Sequence, residues 1–145
     1  MARDHFNLDG RVALVAGASR GIGEAIAKRL AEYGATVLVT SRKLEGCEVV
    51  AQAIREAGGR AEALACHIGD LAQIERTFEH IDKTYGRLDI LVNNAGIQHV
   101  ARLEDFPPEK WQQLINVMLT GPAMLSRAFI PGMRQRDFGR IINIG

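Results

Sequence analysis

The chain has 145 residues, 47% of them hydrophobic, and 18 basic and 17 acidic residues leave a net charge of +1. This composition predicts one soluble globular domain over residues 1–145, and because the basic residues are spread along the chain, neither nucleic acid nor a membrane surface is expected as a partner. Cys47 and Cys66 lack metal-ligand spacing, so neither a disulfide framework nor a metal site is predicted.

The amino-terminal segment argues for a location in the cytoplasm. Residues 1–11 include Arg3, Asp4 and His5 and contain no apolar run, which excludes an ordinary secretory signal. No later apolar stretch is expected to be long enough to cross a bilayer. The sparse cysteines fit a reducing compartment.

Along the chain, short apolar runs alternate with segments of helical periodicity, which is typical of an α/β doubly wound parallel sheet, the Rossmann fold. The predicted strands are residues 12–16, 36–40, 61–66, 90–93 and 141–144. Each is nearly continuous in apolar residues, as expected for strands buried on both sides. The predicted helices are residues 22–33, 44–57, 71–85 and 108–134, and glycines end them at positions 34, 58, 59, 86 and 139.

The first predicted strand runs directly into Gly17-Ala18-Ser19-Arg20-Gly21-Ile22-Gly23 and then into a helix. Glycines let the backbone approach a pyrophosphate, while a helix N-terminus offers free N–H groups and a positive dipole end. This context favours a phosphate-binding turn over a plain connecting loop. The candidate cofactor-binding residues here are Gly17, Ser19, Arg20, Gly21, Ile22 and Gly23.

Ser41-Arg42-Lys43 follows the second predicted strand. An acidic residue at this place would repel a 2′-phosphate, whereas Ser41 and Arg42 accommodate one. The sequence therefore predicts preference for NADP(H), with NAD left open. The alternative is an exposed basic turn ahead of the next helix.

The spacing of Gly17, Gly21 and Gly23 resembles the glycine motif of the short-chain dehydrogenase/reductase family, and Asn93-Asn94-Ala95-Gly96 matches that family's second signature. The resemblance covers essentially all 145 residues. Ala16 stands where the family usually has a threonine that ties the turn to neighbouring backbone.

The resemblance implies further cofactor contacts beyond the glycine turn. Asn94, Ala95 and Gly96 would pass close to the adenosine and ribose portions. His67 and Ile68 stand where the family has an Asp-Val pair whose carboxylate contacts the adenine, so the resemblance implies an adenine contact through His67. The next acidic residue, Asp70, is expected to cap the following helix.

The family's hydride transfer uses an Asn-Ser-Tyr-Lys set. The serine would follow the last predicted strand and the Tyr-x-x-x-Lys would come later still, while Tyr33 and Tyr85 have no lysine four residues downstream. No catalytic residue is therefore assigned. The expected fold is truncated after the fifth strand, and this chain alone is expected to be inactive.

The asparagine of that set aligns with Met118, which puts the usual proton relay in doubt. Asn116 is a weak substitute, because it lies two residues away and so on another face of the helix. The alternative is that Met118 simply packs.

The second half of the chain resembles 3-hydroxybutyrate dehydrogenases, a branch that generally uses NAD, and the first half resembles NADP-dependent carbonyl reductases. These likenesses imply an oxidoreductase acting on a small carbonyl or secondary alcohol, with Gln98 reaching toward a substrate carboxylate. A homo-oligomer, dimer or tetramer, is expected through the helix from Trp111 to Arg134. The alternative function is a non-catalytic nucleotide-binding or interaction module.

Overall fold

The computed structural model describes residues 6–145, so Arg3, Asp4 and His5 lie outside the described residues. The strands are β1 (Val12–Ala16), β2 (Thr36–Ser41), β3 (Arg60–Ala65), β4 (Ile90–Asn93) and β5 (Arg140–Asn143). The helices are α1 (Gly21–Glu32), α2 (Leu44–Glu56), α3 (Leu71–Tyr85), α4 (Pro108–Ile115) and α5 (Gly121–Gln135). A short 3₁₀ helix covers Leu103–Asp105, and a π-helical segment, Asn116–Thr120, joins α4 to α5.

The five strands form one parallel sheet in the order β3-β2-β1-β4-β5. The chain moves outward from β1 to β3 and then returns to the other side of β1 with β4. This reversal creates a topological switch point beside the carboxyl ends of β1 and β4, where open α/β sheets bind their ligands. The predicted doubly wound fold is confirmed.

Both faces of the sheet are buried because alternate residues of the central strands point to opposite sides. One face packs α1 and α2 against Val15, Val37 and Val39. The other packs α3 and α5 against Leu14, Leu38 and Leu91. Each fully buried leucine contributes roughly 1.5–3 kcal/mol of stabilisation through apolar burial, so the switch point lies beside the packed core of the sheet.

The prediction that all strands are buried on both sides is correct for β1, β2 and β4 and wrong for β3 and β5. Every residue of β1 and β4 is buried, whereas β3 is largely half-buried and β5 largely exposed. The reason is position, because within residues 6–145 these two strands form the edges of the sheet. Both also begin one residue earlier than predicted, at Arg60 and Arg140.

The predicted continuous helix over 108–134 is interrupted by the π-helical segment. Just after it, α5 approaches the backbone that follows β3 so closely that a Cβ on Gly121 would lie 2.2 Å from the carbonyl oxygen of Ile68. A π-helical segment has one extra residue in a helical turn, and such segments are frequent at functional sites. Here it changes which side chains of the helix face inward.

The run Pro108–Gln135 spans 28 residues and is apolar enough, by length and composition, to cross a membrane. The expectation that no apolar stretch reaches that length is therefore wrong. Leu125, Phe129 and Met133 on this run are buried against the sheet and α3. One side of the run therefore packs on the protein, as in an amphipathic helix of a globular domain.

The helix ends follow the local sequence with one exception. Asp70 caps α3 as predicted, since its carboxylate accepts hydrogen bonds from the backbone N–H groups of Ala72 and Gln73. These bonds hold the pKa of Asp70 below its usual value. After α5 the left-handed residue is Asp137, with φ of 53°, rather than Gly139 as predicted.

Candidate functional site

A cavity of about 540 Å³ opens at the switch point, beside the carboxyl ends of β1, β2, β3 and β4. Its volume falls within the range of small-molecule sites. It is lined by Gly17, Ser19, Arg20, Gly21, Ile22, Ser41, Arg42, Cys66, His67, Ile68, Gly69, Asn94, Ala95, Gly96, Ile97, Gln113, Asn116 and Val117. The glycine turn, the Ser41-Arg42 pair and the Asn94-Ala95-Gly96 segment, which are far apart along the chain, thus line one cavity.

The glycine turn is packed so tightly that side chains would not fit at two of its positions. A Cβ on Gly17, where φ is +68°, would lie 2.8 Å from the Cα of Ala95. A Cβ on Gly23 would lie 2.2 Å from the carbonyl oxygen of Gly17. Glycine at these two positions lets the turn pack closely on the backbone that follows β4. The cavity side of the turn therefore stays free of side chains from these positions.

Asn94, the residue after β4, holds the same turn in place. Its Nδ2 donates to the carbonyl oxygens of Ala16 and Gly17, at 3.3 and 3.2 Å. Both acceptors lie where β1 passes into the turn. The amide of Asn94 therefore fixes the turn, and the backbone that follows, Ala95-Gly96, forms a wall of the cavity.

Helix α1 begins at Gly21 on the floor of the cavity. Arg20, the residue before it, is extended and provides no side-chain cap. The first-turn N–H groups of a helix have no partner within the helix. Together with the dipole of α1, they make this end of the cavity a place for an anion.

The Ser41-Arg42 pair forms the wall next to the turn. Arg42 is exposed and lines the cavity, which leaves its guanidinium available to a phosphate. The hydroxyl of Ser41 is 3.1 Å from the carbonyl oxygen of Lys43, to which it donates, and 3.1 Å from the Sγ of Cys47. Cys47 is fully buried, and burial raises the pKa of its thiol. The thiol therefore stays protonated and packs against Ser41.

His67 and Ile68 form the opposite wall. The N–H of Gly69 donates to Nδ1 of His67 at 2.9 Å, and the backbone N–H of His67 donates to Oε1 of Gln73 at 2.8 Å. These two bonds fix both the backbone and the ring of His67. Ile68 is buried against the start of α5.

The structure brings together all the residues proposed for the cofactor except Gly23, which lies beneath the turn. Gln98, proposed for the substrate, is exposed and does not line this cavity. Six lining residues were not predicted from the sequence to bind the cofactor, although Asn116 was considered as a substitute for the relay asparagine: Cys66, Gly69, Ile97, Gln113, Asn116 and Val117. Cys66, Gly69 and Ile97 are next to predicted site residues in the sequence and could have been found from that position. Gln113, Asn116 and Val117 line the cavity only because α4 and the π-helical segment pack beside it.

Asn116 and Met118 both lie in the π-helical segment but differ in their surroundings. Asn116 lines the cavity and its Oδ1 accepts a hydrogen bond from Nε2 of Gln112 at 2.9 Å. Met118 is 56% exposed. The alternative that Met118 packs is therefore wrong for the described residues, and the two side chains lie on different faces as expected.

Comparison with known proteins gives a consistent result. The sequence pattern of the family described as short chain dehydrogenase matches residues 11–145. YxjF of Bacillus subtilis, described as an uncharacterized oxidoreductase, is 49% identical over 134 residues, covering 92% of this chain and 52% of the relative. D-beta-hydroxybutyrate dehydrogenase of Cupriavidus necator is 44% identical over 140 residues, covering 94% of this chain and 53% of that enzyme.

A solved structure shares the fold in detail. The crystal structure of a metagenomic short-chain oxidoreductase in complex with NADP has a TM-score of 0.93 and 43% identity, covering 95% of this chain and 63% of that one. The chain spans about half the length of the curated relatives it matches.

Proposed function

Because this chain belongs to the short-chain dehydrogenase family, we propose that it supplies the dinucleotide-binding part of an oxidoreductase that prefers NADP(H). The observation that carries the proposal is the single cavity shared by the glycine turn, Arg42 and the Asn94-Ala95-Gly96 wall. A bound NADP in the metagenomic relative supports it. When bound, the nicotinamide would supply or accept the hydride.

The residues of this chain fit such a group. The missing side chains of Gly17 and Gly23 leave room for the backbone to approach a pyrophosphate, and the first turn of α1 offers it N–H donors. Arg42, Ser19 and Arg20 would hold a 2′-phosphate on the adenosine ribose. Ala95, Gly96 and Ile68 would enclose the adenosine, and His67 would contact the adenine.

We assign hydride transfer to a longer protein that contains these 145 residues. Tyr33 and Tyr85 lack a lysine four residues downstream, and neither lines the cavity. We therefore propose that residues 1–145 bind the dinucleotide without catalysing its oxidation or reduction. The substrate class is a small carbonyl or secondary alcohol, with the hydroxybutyrate dehydrogenase of Cupriavidus necator as the relative that suggests it, and Gln98 would reach its carboxylate.

Self-association is proposed along the helix from Trp111 to Arg134. Trp111, Met118 and Leu119 on this run are more than half exposed, and exposed apolar surface is where proteins typically bind a partner. We propose a homo-oligomer, dimer or tetramer, through that surface, and a location in the cytoplasm.

Titration of the 145-residue chain with NADPH and with NADH tests the proposal. We expect NADPH to bind roughly tenfold tighter, because a charge-assisted hydrogen bond contributes about 1.5–3 kcal/mol and the site is partly open to solvent. Equal affinities would contradict the cofactor preference. Turnover of 3-hydroxybutyrate above background would contradict the assignment of catalysis to a longer protein, and binding without turnover by that longer protein would favour a non-catalytic module.

A further inference from the structure

The imidazole of His67 has one nitrogen occupied by the protein. Its Nδ1 accepts the backbone N–H of Gly69 at 2.9 Å. A backbone N–H only donates, so Nδ1 carries no proton, and the proton of the neutral ring is on Nε2. The ring thus imitates the turn that an aspartate or asparagine forms with the backbone two residues on.

The ring is held in this orientation by packing as well as by the hydrogen bond. A Cβ on Gly69 would lie 2.9 Å from Cε1 and 3.2 Å from Nδ1 of His67. Only glycine leaves space for the ring at this distance. On the backbone side, Gln73 accepts the N–H of His67, and Asp70 accepts from Nε2 of Gln73 at 3.1 Å.

The other nitrogen is available to a ligand. His67 lines the cavity, and Nε2 makes no hydrogen bond to any residue between 6 and 145. With Nδ1 engaged, the ring presents a hydrogen-bond donor, Nε2–H, and no acceptor. An aspartate in the same place would present only acceptors.

We propose that His67 reads the purine of the cofactor as a donor, so that this site does not require the 6-amino group of adenine and also takes a 6-oxopurine dinucleotide. An amino group at position 6 of a purine donates, while a 6-oxo group and N7 accept. A donor on the protein can therefore bond to N7 of either adenine or the 6-oxopurine, and also to the 6-oxo oxygen of the latter. The proposal rests on the dinucleotide-binding function proposed above and adds the hydrogen-bond polarity of its base pocket.

The binding test uses the 145-residue chain with NADPH and with its hypoxanthine analogue, and the affinity of each is measured by calorimetry. We expect the two dissociation constants of the natural chain to agree within about threefold. His67→Asn and His67→Asp form a matched pair, since both keep an oxygen for the Gly69 N–H but only the asparagine keeps a donor. His67→Asn should not discriminate, and His67→Asp should favour NADPH by about tenfold.

The outcomes separate the two proposals. Failure of both dinucleotides to bind would overturn the proposed function and the inference with it. Binding of NADPH with strong rejection of the hypoxanthine analogue by the natural chain, or the same ratio in both variants, would overturn the inference alone. A readout independent of binding is the ¹⁵N resonance pattern of the His67 ring in the free chain, which should show a protonated Nε2, and a protonated Nδ1 would overturn the inference.

Discussion

Asn93 and Asn143 are joined across β4 and β5, with Nδ2 of Asn93 donating to Oδ1 of Asn143 at 2.9 Å. The carbonyl oxygen of the same side chain, Oδ1 of Asn93, is buried and has no hydrogen-bond partner among residues 6–145. On the other side of Asn93 lies Ala16, since Val15 pairs with Val92 in a parallel register. The hydrogen-bonded pair of Asn93 and Asn143 therefore has the methyl group of Ala16 as its neighbour on the β1 side.

The first prediction is that Ala16→Thr stabilises the protein. A threonine hydroxyl at this position would face the orphaned Oδ1 of Asn93, and satisfying a buried acceptor is expected to add about 1 kcal/mol to the free energy of unfolding. Ala16→Val is the matched control, because it adds the same volume without the hydroxyl. Denaturant titration compares the two, and a threonine variant no more stable than the valine variant would contradict the role given to Oδ1.

The second prediction concerns Arg42. Arg42→Ala should weaken NADPH binding about tenfold and leave NADH binding within about twofold, because the guanidinium is assigned to the 2′-phosphate alone. Lys43→Ala removes the same charge one residue away, from a side chain that does not line the cavity, and should change both affinities little. Calorimetric titration measures both affinities for each variant and for the natural chain, and an equal loss for both dinucleotides in Arg42→Ala would disprove the assignment.

The third prediction tests the docking of α5. Gly121→Ala should lower the free energy of unfolding by about 1–3 kcal/mol or more, because the new Cβ would meet the backbone oxygen of Ile68, which cannot rotate away, as well as the side chain of that residue. Gly132→Ala in the same helix meets only the end of Arg136. It should be neutral or stabilising by up to about 1 kcal/mol, since alanine favours a helix over glycine. Thermal unfolding distinguishes the two, and equal stability of the variants would show that the approach of α5 to Ile68 is looser.

The fourth prediction is a pH dependence from Tyr85. Its hydroxyl donates to Oε2 of Glu62, whose Oε1 is hydrogen-bonded to Nε2 of His80 at 2.6 Å. Burial, followed by the hydrogen bond and the charge of Glu62, raises the pKa of Tyr85 well above its usual value. The folded state therefore holds this proton more tightly than the unfolded state, and its contribution to stability is complete below about pH 10 and lost as pH rises further.

Comparison of the natural chain with Tyr85→Phe isolates this effect, because every other group titrates in both. From about pH 8 to about pH 11 the natural chain should lose more unfolding free energy than the variant, by about 1 kcal/mol or less once solvent screening of this partly exposed group is allowed for. Urea unfolding at both pH values provides the measurement. Parallel curves for the two proteins would rule out Tyr85 as the titrating group.

Local sequence was enough to predict much of the fold and of the candidate site. The spacing of Gly17, Gly21 and Gly23 between an apolar run and a helical pattern specifies a turn by backbone requirements that operate within a few residues. The cap at Asp70 and the apolar core of β1 and β4 follow from equally short-range patterns. For this reason all but one of the residues proposed for the cofactor line a single cavity.

What remained undecided depends on contacts between distant residues. Exposure of β3 and β5 follows from sheet order, which their own composition does not express. Placement of Asn116 in the cavity follows from a π-helical segment at the point where Gly121 meets Ile68. The donor role proposed for His67 depends on the N–H of Gly69 and on the space that this glycine leaves for the ring. The sequence by itself thus predicted where a dinucleotide would lie, whereas the atoms that would face it depend on the tertiary structure.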